Sequence, residues 1–90
     1  MRNPAVREAV RKGQQRHMEE VYDPGFHKEV RLPSGKKMDA YNPDTKHIIE
    51  LKPNNPRAIR RGERQAAEYC SECEREMGSG HTWQVKTYDQ

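Results

Sequence analysis

Apolar residues are sparse in this chain, and the period at which they recur changes several times, dividing it into six elements. From Pro4 to about Val21 the spacing of Ala5, Ala9 and of Val6, Val10 predicts a helix, with Pro4 in its first turn and Asn3 as candidate N-cap. Gly13 weakens the middle of that helix by up to about 1 kcal/mol relative to alanine, which admits a break or a close packing contact there. Tyr22-Asp23-Pro24-Gly25 is turn chemistry. A first strand over Phe26 to Leu32 follows and ends on Pro33-Ser34-Gly35. Lys37 to Tyr41 predicts a second strand with Met38 and Ala40 on one face and Lys37, Asp39 and Tyr41 on the other.

After the turn Asn42-Pro43-Asp44-Thr45, the stretch His47 to Leu51 brings Ile48, Ile49 and Leu51, the densest apolar patch and hence the central strand. Pro53 to Pro56 stops it. From Arg57 to Met77, Ile59, Ala66, Tyr69, Cys70, Cys73 and Met77 recur at helical spacing. Gly78-Ser79-Gly80 closes that helix, and Thr82, Trp83, Val85, Thr87 and Tyr88 form a last strand. The predicted order is α-β-β-β-α-β, an α+β arrangement in which short turns make the first three strands an antiparallel meander with a buried third strand.

Composition sharpens this picture. Ninety residues, 31% hydrophobic and 34% charged, leave room for one domain over residues 1–90 and only a thin core, so stability is expected to be marginal. No apolar run approaches the roughly 20 residues that cross a bilayer, and no apolar segment near the N-terminus reads as a secretory signal, so a soluble chain is expected. Cys70 and Cys73, three apart on a helix, suit neither a disulfide nor a zinc site without further ligands, and read as small apolar side chains. The net charge is +3, but its placement matters more: Arg57, Arg60, Arg61 and Arg64 precede an acidic block of Glu68, Glu72, Glu74 and Glu76. Such an arginine group at a helix N-terminus suits phosphate contact. A solvated face paired with Glu63 and Glu68 is the plainer alternative.

The candidate chemistry lies on the second and third strands. Glu50 and Lys52, two apart, share one face, and a hairpin pairing brings Asp39 beside them. Two carboxylates on neighbouring strands form a hard-oxygen site for a divalent cation, and a lysine against it could orient a water and stabilise charge on a phosphorane. His17, Glu19 and Glu20 are helix-one candidates to complete the site, with Glu8 further off. A solvated salt-bridge cluster is the alternative fate of all these charges. Trp83 and Tyr88 could stack on bases, although a strand tryptophan is more often core.

Asp39 followed by Ile48-Ile49-Glu50-Leu51-Lys52 resembles the PD-(D/E)xK, or restriction-endonuclease-like, nuclease motif. Gln65-Ala66-Ala67-Glu68-Tyr69 resembles the Gln-x-x-x-Tyr pattern of its exonuclease-like branch. Met38 stands where many members have proline. The stretches Arg31 to Asp39 and Glu50 to Gln65 are similar to the C-terminal nuclease toxin domains of bacterial polymorphic toxins. The resemblance implies a restriction-endonuclease-like core with a central mixed sheet flanked by helices. It also implies a DNase using Mg²⁺ or Mn²⁺ held by Asp39, Glu50 and the carbonyl of Leu51, with Lys52 and Gln65 completing the catalytic set and Tyr69 beside them. As biology it implies the C-terminal toxin domain of a longer effector, delivered by a bacterial secretion system into a target-cell cytoplasm and neutralised by a cognate immunity protein. A non-catalytic nucleic-acid-binding module and a repair, junction-resolving or phage nuclease of the same fold are the rival expectations.

Overall fold

The breaks that divide the sequence also divide the structure. The computed structural model describes residues 4–89, as α1 (Pro4–Glu19), β1 (His27–Arg31), β2 (Lys37–Asn42), β3 (His47–Pro53), α2 (Pro56–Met77) and β4 (Thr82–Tyr88). The Asn3 cap and the side chains of Ala5 and Val6 lie outside the described residues. α1 stops at Glu19, two residues before the expected Val21. The cause is Lys28, whose Nζ donates to the carbonyls of Met18 and Glu20 at 2.9 and 2.8 Å and so satisfies the frayed end.

The four strands form one sheet in sequence order, with β1, β2 and β3 antiparallel and β4 parallel to β3. A parallel neighbour needs a crossover, and α2 provides it. β3 is extended to Pro53 because its parallel pairing with β4 continues as far as Pro53↔Tyr88. The sheet is therefore mixed, with the apolar β3 in its interior.

α2 begins where Asn55 accepts a hydrogen bond from Ala58 N at 2.9 Å, with Pro56 in the first turn. Its inner face, Gly62, Ala66, Tyr69 and Cys73, is buried. Tyr69 and Cys73 pack with Leu32, Met38, Tyr41 and Ile48 in the core cluster. Glu72 ties the β1–β2 turn to this helix by accepting from Ser34 N at 2.9 Å and Ser34 Oγ at 2.7 Å, and these bonds hold its carboxyl below the ordinary range. Both cysteines are free. Cys73 is buried, its thiol pushed up to about 11 by that burial first, and Cys70 is half-buried with Sγ donating to the His81 carbonyl at 3.6 Å.

α1 lies on the opposite face of the sheet and touches it mainly through its C-terminal half. Arg16 stacks over the Tyr88 ring at 5.3 Å, Glu20 reaches Lys86 at 2.9 Å, and His17 meets the Tyr88 ring edge-on. Gly13 is the close-contact point, since a Cβ there would stand 3.2 Å from the Tyr88 hydroxyl. Val10 and Met18 stay exposed. Among the described residues no helix is long and apolar enough to cross a membrane.

Ile48 is fully buried whereas Val10 is 45% exposed. Urea unfolding is therefore expected to show a loss of roughly 2–5 kcal/mol for Ile48→Ala and less than about 0.5 kcal/mol for Val10→Ala. Equal losses would place the core elsewhere.

Candidate active site

The site is built where β2 and β3 stop pairing. Their ladder runs through Asn42↔His47, Tyr41↔Ile48 and Ala40↔Ile49, and at the next step two carboxylates take the place of backbone carbonyls. Asp39 N donates to Glu50 Oε1 at 3.1 Å, and Leu51 N donates to Asp39 Oδ2 at 2.7 Å. Each acid thus satisfies an N–H group that the fork would leave orphaned, and each is fixed by doing so. The pairing with β1 also skips Asp39, between Lys28↔Ala40 and Val30↔Met38. Glu29, on that skipped step, sits at φ +54°, a left-handed conformation that costs a non-glycine residue of order 1–3 kcal/mol.

Crowding two carboxylates here has an electrostatic consequence. Glu50 is only 3% exposed, and burial first, then the charge of Asp39, pushes its acid up to about 7. Asp39 is pushed up by burial too, but its bonds to His17 and Leu51 N overcome that, and it titrates below the ordinary range. His17 comes from α1. Its Nδ1 donates to the Gly13 carbonyl at 2.8 Å, which leaves Nε2 3.3 Å from Asp39 Oδ2. The bond to Asp39 is the main reason that His17 is raised to about 9; burial opposes it, and the Gly13 and Leu51 carbonyls add to it.

The other predicted residues arrange themselves around this pair. Lys52 runs along β3 beneath α2, and Gly62 makes room for it: a Cβ there would lie 2.8 Å from Lys52 Cγ and 3.2 Å from Val85. Gln65, one turn on, is half-buried with Oε1 enclosed and without a hydrogen-bond donor. Tyr69 is buried, and its phenol is raised by burial and then by the charges of Glu50 and Asp39. Glu19 is taken by Gln15 at 2.8 Å, Glu20 by Lys86 at 2.9 Å, and Glu8 by Arg11 at 3.6 Å. Arg57, Arg60, Arg61 and Arg64 are all exposed, and among the described residues none forms a salt bridge with Glu63 or Glu68. Arg57, Arg61, Gln65 and Tyr69 are spaced four apart, so they form one stripe along α2 that leads from its N-terminus towards the carboxylates.

Sequence reasoning did not single out Gly62 or Lys86. A glycine in mid-helix was the available signal for the first; the second became visible only through its register beside Leu51. A hollow of about 770 Å³ along α1 from Glu8 to Glu19, closed by Pro53 and Tyr88, contains none of Asp39, Glu50 or Lys52.

Among the described residues no group of three or more His, Cys, Asp and Glu side chains is placed to hold a metal. Asp39, Glu50 and the Leu51 carbonyl offer oxygen donors only, and burial first, then the charge of Asp39, raises Glu50. A hard divalent cation that keeps several waters fits such a set.

A forked sheet that holds an acid and a Glu-x-Lys between two helices defines the restriction-endonuclease-like class. The chain belongs to the family described as restriction endonuclease fold toxin 9, whose model matches residues 5–88. No curated protein and no solved structure matches it significantly. It is thus a toxin domain of a nuclease fold.

Two expectations follow for the metal-free protein. Glu50, raised from 4.5 to about 7, contributes stability that is present below 4.5 and lost as pH rises through 7. His17, raised from 6.5 to about 9, contributes stability that is complete below 6.5 and lost as pH rises through 9. The melting temperature in EDTA is expected to fall across pH 5 to 9, with the alkaline part of the fall absent in His17→Asn; a flat profile would contradict the assigned geometry. Gly62→Ala is expected to displace Lys52 and cut kcat at least about tenfold while KM changes little, as for a group acting in the transition state. Unchanged kcat in a folded variant would remove Lys52 from the site.

Proposed function

We propose that this chain is a metal-dependent endonuclease that hydrolyses phosphodiester bonds of DNA. The observation that carries the reading is the crossed pair, with Asp39 and Glu50 each locked by a backbone N–H of the other's strand segment and Lys52 next along β3. Mg²⁺ or Mn²⁺, held by Asp39, Glu50 and the Leu51 carbonyl, would supply Lewis-acid polarisation of the phosphate and a more acidic bound water. Lys52 orients the attacking water and offsets charge growing on the phosphorane. Gln65, with its enclosed and unpartnered oxygen, accepts a hydrogen bond from water or substrate. His17 supplies the positive charge beside Asp39 while no cation does. The arginine stripe of α2 holds the phosphate backbone, helped by the partial charge of the helix N-terminus.

In this reading the chain is the C-terminal domain of a longer antibacterial effector. A secretion system delivers it into the target-cell cytoplasm, and a cognate immunity protein protects the producer. The family's description as a toxin supports that biology.

Plasmid cleavage tests the chemistry. Nicking or linearisation is expected with Mg²⁺, none with EDTA, and a loss of roughly 10²–10⁴-fold for Asp39→Ala and Lys52→Ala. Tight binding of an intact plasmid by the folded wild type would instead identify a non-catalytic nucleic-acid-binding module.

A further inference from the structure

We propose that the sheet face on which α1 lies carries, beyond the C-terminal end of that helix, a nucleobase subsite formed by Tyr22, Phe26, His47, Ile49, Gln84 and Lys86, which takes an unpaired base next to the scissile phosphate. The inference rests on the nuclease reading for what lies beside it.

These six residues, together with Asp23 at the turn before Phe26, line a depression of about 280 Å³. Three of them are rings in mutual contact: Tyr22 and Phe26 are tilted by 38° with centroids 6.3 Å apart, and Phe26 meets His47 edge-on at 6.1 Å. Ile49, only 6% exposed, adds an apolar surface between them. Flat aromatic walls over an aliphatic side chain suit a planar heterocycle, since every base has a π-face to stack.

The polar groups point the same way. Lys86 and Lys28 place their ammonium groups 5.3 and 6.0 Å from the centre of the Tyr22 ring, at the rim of the aromatic site, where a phosphate would compete with Glu20 for Lys86 and with the Met18 and Glu20 carbonyls for Lys28. His47 fixes Gln84: Thr82 Oγ1 lies 2.6 Å from Nδ1, and Nε2 lies 2.9 Å from Gln84 Oε1. With Gln84 Oε1 accepting from the ring, the amide nitrogen is left to donate to a base edge.

Register places the depression beside the fork on the face opposite Glu50 and Lys52, so a strand seated in it meets them by crossing the fork. Ile49 and Gln84 form one step of the β3–β4 pairing, and Leu51 and Lys86 the next step on that face. Two residues of strand span roughly 6.5 Å, about one nucleotide of extended single strand. The charges of Asp39 and Glu50 reach the Tyr22 hydroxyl, which burial first and then those charges raise. A paired base is turned inward towards its partner, so the depression can be filled only from a single strand, a frayed end or a flipped nucleotide.

The test uses single-stranded oligonucleotides with 2-aminopurine at successive positions, bound to the wild-type protein in EDTA so that no cleavage occurs. Quenching is expected at one or two adjacent positions, and an abasic substitution there is expected to weaken binding roughly 5- to 100-fold, the range for losing one stacked base. Phe26→Ala and Tyr22→Leu should flatten the quenching profile while their affinity for duplex is unchanged. Uniform quenching together with no cost for the abasic position overturns the subsite. A protein that never cuts yet keeps the position-dependent quenching removes the nuclease reading and leaves the subsite standing.

Discussion

The molecule depends on a break in its own sheet. Antiparallel strands β2 and β3 hold together by backbone pairing as far as Ala40↔Ile49, and then by two carboxylates that reach across to backbone amides. An isolated acid on a strand is free to turn towards solvent. An acid that completes a broken ladder is not free, because releasing it would leave an amide without a partner. Positioning is thus purchased with hydrogen bonds that the fold needs anyway, which is how so small a chain can hold two like charges side by side.

That arrangement explains why charge, more than apolar packing, governs the region. Desolvation and mutual repulsion raise Glu50, and among the described residues the cationic groups that act on the pair are His17 and Lys52. His17 approaches both the Asp39 carboxylate and the Leu51 carbonyl. Those are two of the three donors proposed above for a divalent cation, so in that reading imidazolium and metal would answer the same local charge. α1 contributes little apolar burial, leaving Val10 and Met18 in solvent, and its attachment is largely this pairing together with Arg16, Gly13 and Glu20 at Tyr88 and Lys86. The helix is thereby coupled to the state of the site.

The element order and the strand that carries Glu50 were legible because they follow from local chemistry: turn residues, a short apolar run and glycine stops. The Asp39, Glu50 and Lys52 set was legible as spacing on neighbouring strands. The fork itself was not, since nothing in the alternation of Lys37 to Tyr41 announces that pairing ends at Ala40. Nor could the sequence choose among His17, Glu19 and Glu20, because that depends on where α1 crosses the sheet, which tertiary contacts fix. The end of α1 was misjudged for the same reason: Lys28, from a different element, caps it.

The arginines illustrate how helix geometry turns composition into direction. Arg57, Arg60, Arg61 and Arg64 read as one basic cluster in sequence, yet a turn of 100° per residue separates them into two rows. Arg57 and Arg61 continue into Gln65 and Tyr69, beside the buried face that contains Gly62 and Ala66, whereas Arg60 and Arg64 continue into the exposed Glu68. In the proposed reading it is the first row that leads a phosphate chain towards the carboxylates. The second would add to the field that draws a polyanion towards the helix, and because all four arginines are exposed the contribution of both rows should weaken with salt. A strand held by the first row at α2 and meeting Asp39, Glu50 and Lys52 would cross the fork between the two faces of the sheet. The break in the ladder is therefore both what fixes the acids and what opens the path to them.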